Sequence, residues 1–106
     1  MPLFLFLRTL VIHILLLSTS TMLFAGGIKG TVKADDGTPL AFATIFVKQT
    51  GSGAVTGLEG QYEVTLLPGN YDITFQYLGY EAVTRSVTIA EDFIELNLTL
   101  KSQAIV

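Results

Sequence analysis

Residues 61–80, QYEVTLLPGNYDITFQYLGY, change from apolar to polar at every step, stop, and do it again. Tyr62, Val64 and Leu66 alternate with Gln61, Glu63 and Thr65; Tyr71, Ile73, Phe75 and Tyr77 then alternate with Asp72, Thr74 and Gln76. A period of two puts one set of side chains on each face of an extended strand, so both halves read as strands with one face buried. Between them Pro68 presets the first angle of a tight turn, and Gly69-Asn70 tolerate left-handed backbone. Gly79 ends the second strand.

The same alternation spreads outward from this stretch. Upstream, Ile28 and Val32 share a face with Gly30, while Lys29, Thr31 and Lys33 point the other way. Asp36-Gly37 suits a tight hairpin and Pro39 blocks continuation of the first strand. A second strand is predicted over residues 41–48, with Ala43, Ile45 and Val47 on one face and Phe42, Thr44 and Phe46 on the other. The Gly-rich QTGSGAVTGLEGQ holds at most one short strand, near residues 54–56. Downstream, residues 82–89 place Val83, Val87 and Ile89 on one face; Arg85 falls on that face too, which calls for a bulge or an edge position. Ile94, Leu96, Leu98 and Leu100 close the pattern, alternating with Glu95, Asn97, Thr99 and Lys101.

About seven short strands with turn signals between them, and no convincing 3.6-residue period after residue 25, predict an all-β protein, a small antiparallel β-sandwich. Its predicted core is Ile28, Val32, Ile45, Val47, Tyr62, Val64, Leu66, Tyr71, Ile73, Phe75, Val87, Ile89, Leu96 and Leu98.

Residues 1–25, MPLFLFLRTLVIHILLLSTSTMLFA, carry one positive charge at Arg8, an apolar run from Leu10 to Leu17, a polar stretch and a small residue, Ala25. That is the order of a secretory signal peptide. The run is short for a membrane span, which needs roughly 20 apolar residues. The domain division is therefore 1–25 signal and 26–106 folded domain. Without Arg8, five basic side chains face nine acidic ones, a net charge of −4 that repels phosphate backbones and argues against nucleic acid. No transmembrane segment is expected in the mature domain.

Chemistry is sparse. There is no cysteine, and the single histidine, His13, lies inside the signal. A mature chain with neither residue has no Ser-His-Asp triad, no thiol nucleophile and no His/Cys zinc site. Asp35 and Asp36 offer two carboxylates where calcium wants roughly 6 to 8 oxygen ligands, and read as a solvated turn. Glu59 and Glu63, a loop residue and a wet-face residue, lack the buried cleft that carboxylate catalysis needs. No catalytic, metal or cofactor residue is assigned. Two phenylalanines stand out: Phe42 and Phe46 lie opposite Ala43, Ile45 and Val47, so they form an apolar strip that either docks a partner or is covered by a neighbouring loop or domain of the same polypeptide.

Taken in order, Gly30-Thr31-Val32, Asp36-Gly37-x-Pro39-Leu40, Ala43, the Gly-rich turn ending at Gly60, Pro68-Gly69 with Tyr71 after it, and Gly79-Tyr80 resemble the carboxypeptidase regulatory-like domain. That family is a transthyretin-like (prealbumin-like) sandwich with Greek-key connections. The sequence looks most like the version at the N-terminus of Bacteroidetes-type outer-membrane proteins, above all TonB-dependent receptors. The resemblance covers about residues 27–100 and makes Asp36, Gly37, Pro39, Pro68, Gly69 and Gly79 structural turn positions. It departs where the family has Thr-Asp-x-x-Gly and this chain has Thr56, Gly57 and Gly60; Gly57 cannot bond its own turn, so a looser loop is expected there.

The resemblance implies a module without catalytic residues of its own, since the zinc and acid-base groups of metallocarboxypeptidases sit in another domain. It further implies export to the periplasm or outer membrane, and a protein partner or covalently following barrel acting in nutrient uptake. The related Cna-B-type sandwiches raise a Lys33–Asn97 isopeptide crosslink, but both residues have outward parity, and Gln76 stands where the assisting Glu would be. The alternative function is a stand-alone secreted carbohydrate-binding or adhesion module at the cell surface, in which Tyr62, Tyr77 or Tyr80 would stack on sugar.

Overall fold

The computed structural model describes residues 26–103, and the signal predicted for residues 1–25 lies outside them. Eight strands occupy this stretch: β1 (Gly26–Ala34), β2 (Thr44–Val47), β3 (Ser52–Val55), β4 (Gln61–Leu66), β5 (Gly69–Gln76), β6 (Val83–Ile89), β7 (Phe93–Glu95) and β8 (Leu98–Leu100). They form two sheets, one ordered β4-β1-β7 with β8 also on β1, the other β3-β2-β5-β6. The chain passes from one sheet to the other four times, giving the long-range pairings of Greek-key connections, β1 with β4 and β2 with β5. The predicted sandwich is the observed one.

The core lies between the sheets, where the period-two faces meet. Eleven of the predicted core residues are buried: Ile28, Val32, Ile45, Val47, Tyr62, Val64, Leu66, Ile73, Phe75, Ile89 and Leu98. Tyr71, Val87 and Leu96 are partly buried at its margin, while Ala34, Leu40, Ala43 and Leu100 join it. Phe75 is its largest fully buried side chain and meets the Tyr62 ring edge-on at a 5.5 Å centroid distance.

Four local expectations are corrected. The first concerns the opening turn. The Asp36-Gly37 turn closes as expected, with Ala34 N donating to Thr38 O at 2.8 Å, but β1 and β2 belong to different sheets. The hairpin is a stub: Lys33 bridges Pro39, Leu40 N bonds Val32 O, and the chain then turns away at Ala41-Phe42. Pro39 has no N–H with which to extend the ladder. The second concerns Pro68-Gly69, which joins β4 to β5 across the sandwich rather than folding one sheet back on itself, and Asn70 is an ordinary strand residue.

Third, the last strand is broken. Leu96-Asn97 interrupts it, and both pieces run parallel to β1 instead of antiparallel. Gly30 explains the break: a Cβ there would overlap the Leu96 carbonyl, so only glycine lets the chain pass so close. Asn97 Oδ1 then accepts from Thr31 N at 2.9 Å in place of a backbone carbonyl. Fourth, the Gly57 loop is closed, not loose. Gly57 N bonds Gln61 O at 2.8 Å, and Gln61 Oε1 accepts from Glu59 N at 3.0 Å, doing for this turn what an Asp side chain would. Arg85 takes the edge position: the β5–β6 register runs unbroken from Gly69↔Ile89 to Phe75↔Val83, and its side chain is exposed on the outermost strand.

Candidate functional site

Between Leu40 and Ala43 the backbone must leave one sheet for the other, and a single buried threonine holds it there. Thr56 is 1% exposed and makes four bonds to this corner. Its hydroxyl donates to Leu40 O at 2.5 Å and accepts from Ala43 N at 2.8 Å. Its N–H donates to Ala43 O at 2.9 Å, and its carbonyl accepts from Phe42 N at 3.0 Å. The Leu40 carbonyl, the Phe42 N–H and both backbone groups of Ala43 are thereby paired.

The consequence falls on Phe42. It adopts φ 63°, the one non-glycine residue at positive φ among the described residues, and its side chain is 65% exposed. A left-handed conformation costs an L-residue about 1–2 kcal/mol, and an aromatic ring gains nothing from water in return. Phe42 is therefore not on the strand predicted for it. It stands at the corner and walls a depression of about 610 Å³, together with Thr44, Gln76, Leu78, Tyr80 and Gln103. Leu78, at the tip of the β5–β6 loop, is 97% exposed. Tyr77 and Tyr80 pair edge-to-face behind it at 5.5 Å, and Tyr80 N bonds Tyr77 O across a turn whose third residue is Gly79 at φ 88°.

Phe46 is elsewhere. It is 44% exposed on the outer face of its sheet, between Gly53 of β3 and Thr74 of β5, and does not line the depression. The Phe42–Phe46 strip is thus two separate features, and Leu78, which alternation did not single out, is the true neighbour of Phe42. Gln103 is tied into the same place: its N–H donates to Gly79 O at 2.8 Å, Glu81 N donates to Lys101 O at 2.9 Å, and Tyr80 bridges Ser102.

The other candidates are not assembled. Glu59 and Glu63 are exposed, one in the Gly57 loop and one on the outer face of β4 opposite Lys29. No group of three or more His, Cys, Asp or Glu side chains could hold a metal among the described residues. Asp36 Oδ1 caps Thr38 N at 2.9 Å, and that bond holds the Asp36 carboxyl below its usual range. Asp72 is held low by the Ser86 hydroxyl and then by Gln49. Lys33 registers with Thr99, while the Asn97 amide is occupied by Thr31 and Glu95, so the crosslink pair is not brought together.

Tyr62 is not available to stack on sugar. It is 6% exposed and donates its hydroxyl to Leu96 O at 2.5 Å; burial pushes its pKa up to about 12. No helix among the described residues is long and apolar enough to cross a membrane.

Residues 28–106 match the CarboxypepD_reg-like domain model. The chain belongs to that family. Over 76 residues, 72% of this chain, it is 37% identical to TonB-dependent receptor P39 of Formosa agariphila, and over 76 residues, 70% of the chain, 40% identical to carboxypeptidase D of Rattus norvegicus. The matched stretch makes up 7% of the first relative and 6% of the second. A solved DUF3823 family protein from Bacteroides ovatus superposes with a TM-score of 0.58 at 15% identity, covering 72% of this chain and 43% of that one, a likeness of fold.

Proposed function

We propose that the chain is a non-catalytic, exported CarboxypepD_reg-like module that precedes an outer-membrane barrel of the TonB-dependent receptor type, and that it works by contact during nutrient uptake. The contact surface is the Phe42–Leu78 depression. The observation that carries this reading is Phe42 itself: a ring held out in solvent, in a costly backbone conformation, by a buried threonine that makes four bonds to do it. Strain retained at an exposed aromatic residue points to use of that residue. The signal-like residues 1–25, a histidine-free domain and the identity with a TonB-dependent receptor agree with it.

Placing a photo-crosslinking amino acid at Leu78 in the producing cell, with the same probe at exposed Lys33 as control, tests the proposal. The Leu78 probe labels polypeptide of an outer-membrane receptor, in the same chain or another, and the material fractionates with the outer membrane. Equal labelling from both positions, or recovery in the cytoplasm, sinks it.

A further inference from the structure

Among the described residues the sandwich is closed on one side and open on the other. β3 lies against β4 and shuts the first side, while β6 makes no comparable approach to β7 or β8. On the open side Ile94 is 36% exposed, and Val83, Val87 and Leu96 are only partly buried. β6 forms one lip of this opening. It is seven residues long, has no bulge and no proline, and is outermost in its sheet. Lys48 N donates to Asp72 O at 3.1 Å and Asp72 N donates to Gln49 Oε1 at 2.8 Å, so Asp72 turns its backbone groups toward β2. By alternation Tyr71, Ile73 and Phe75 turn theirs toward β6, where they register with Val87, Arg85 and Val83. The backbone N–H and C=O of Thr84, Ser86 and Thr88 are left facing outward from the sheet edge. Their side chains are already engaged: the Thr84 and Thr74 hydroxyls lie 2.9 Å apart, Ser86 donates to Asp72 at 2.6 Å, and Thr88 donates to Asn70 at 2.8 Å. The edge is straight, ordered and unpaired, which is the form that adds a strand.

We infer that β6 accepts an extended acidic segment of a partner polypeptide as a fifth, antiparallel strand of its four-stranded sheet, with a carboxylate opposite Arg85 and apolar side chains opposite Val83 and Val87. Charge selects this occupant. Arg85 registers with the uncharged Ile73 and is the one charged residue of β6. With Thr84, Ser86 and Thr88 forming the hydrogen-bonded pairs, Arg85 falls at a close position, about 4.5 Å from the incoming Cα. A carboxylate at that point gains an opposite-charge cross-strand pair, and the apolar residues on either side of it cover the open flank of the core. A second copy of the chain offers no such pair, because Val83–Ile89 contains neither Asp nor Glu. Place agrees with charge: Ala82 lines the Phe42 depression, so a polypeptide leaving that surface runs directly onto β6. The edge adds its strand whether or not the depression is occupied.

Amide hydrogen exchange of the chain, read residue by residue by NMR, tests this with the peptide acetyl-Lys-Thr-Val-Thr-Glu-Thr-Val-Thr-Lys-amide as probe. Slower exchange is expected at Thr84, Ser86 and Thr88, with a much smaller change at Val83, Arg85 and Val87, whose N–H groups already bond to β5. Replacing the peptide Glu with Lys is expected to weaken binding about fivefold or more, the size of a cross-strand charge pair. The net charge of −4 favours the more basic peptide, so it works against that result. R85E reverses the preference between the two peptides while the core methyls of Ile45 and Ile73 keep their shifts, which separates altered recognition from lost fold. Unchanged exchange at Thr84, Ser86 and Thr88 in millimolar peptide overturns the inference and leaves Arg85 as a guard against strand addition. Equal binding of the two peptides overturns it as well. So does alternate-residue slowing that grows with the concentration of the chain alone, which assigns the edge to a second copy. The Leu78 crosslink reads a different surface, so failure of one test is distinct from failure of the other.

Discussion

Gly30 and Phe42 mark two places where the backbone suits glycine, and they are answered in opposite ways. At Gly30 the Leu96 carbonyl lies where a Cβ would be, so the side chain is given up and the approach is sealed by Tyr62 and Asn97. At Phe42 the backbone takes a conformation that suits glycine, yet a large ring is kept and left in solvent. The first place conforms to what the backbone requires and exists to hold the sandwich together. The second defies it, and four bonds to Thr56 compensate. Strain retained at an exposed ring is the ground for the contact proposed at Phe42.

Substitutions can break or sharpen that contrast. The largest effect is expected from Gly30→Ala, whose methyl would overlap a carbonyl that Tyr62 holds in place. A loss of about 3 kcal/mol, the upper end for overpacking, and a fall in Tm above about 10 °C are expected on thermal unfolding. Next is Thr56→Val, nearly the same shape without the hydroxyl, which strands the Ala43 N–H and the Leu40 carbonyl inside the protein. Urea unfolding is expected to show about 2 kcal/mol lost. A near-neutral Thr56→Val would mean that the corner holds itself and that Phe42 is not under restraint.

Smaller again is Tyr62→Phe, at about 1 kcal/mol near neutral pH for one hydrogen bond. It carries a pH signature. The Tyr62 hydroxyl keeps its proton in the folded state up to about pH 12, while in the unfolded chain it ionises near 10. Its contribution is complete below pH 10 and is lost as the pH rises from there toward 12, so the wild-type chain loses stability in that window and Tyr62→Phe loses less.

Phe42→Gly inverts the usual sign. Glycine adopts φ 63° without penalty, so stability is expected to hold or rise by up to about 1 kcal/mol while contact through the depression is lost. A fall of more than about 1 kcal/mol in chemical unfolding would make Phe42 a packing residue and remove the contrast with Gly30. The smallest effect is at acid pH: Asp36 and Asp72 have lowered carboxyl pKa values, so their contribution is present above the unfolded value near 4 and is lost as the pH falls through the folded values. Asp36→Asn and Asp72→Asn should each flatten the acid limb of a pH–stability curve, by removing a small contribution that the wild-type chain has at pH 7 and lacks in acid.

Much of this molecule is legible in its sequence. Alternation through residues 61–77 identified Tyr62, Val64, Leu66, Ile73 and Phe75 as inward, because a pleated strand can bury only every second side chain. Alternation says nothing about corners. It put Phe42 in line with Phe46 because both are even-numbered in an apparent strand, whereas the Thr56 bonds end the strand at Thr44. Leu78 escaped notice because a loop residue has no periodic partners, and its meeting with Phe42 joins positions 36 residues apart. The Gln61 side chain substituting for a missing Asp at Gly57 was equally invisible, since its bond depends on where the next strand begins.

By itself, then, the sequence determined the class of fold, the inward faces and the absence of histidine and cysteine chemistry beyond residue 25, because these depend on side-chain type and on a periodicity local to each strand. Tertiary structure alone decided that the last strand pieces run parallel to β1, that Gly30 is a crossing, and that Phe42, Leu78 and Gln103 surround one depression. Those facts arise where two distant backbones approach within a few ångströms, and steric fit at such a crossing belongs to both segments at once.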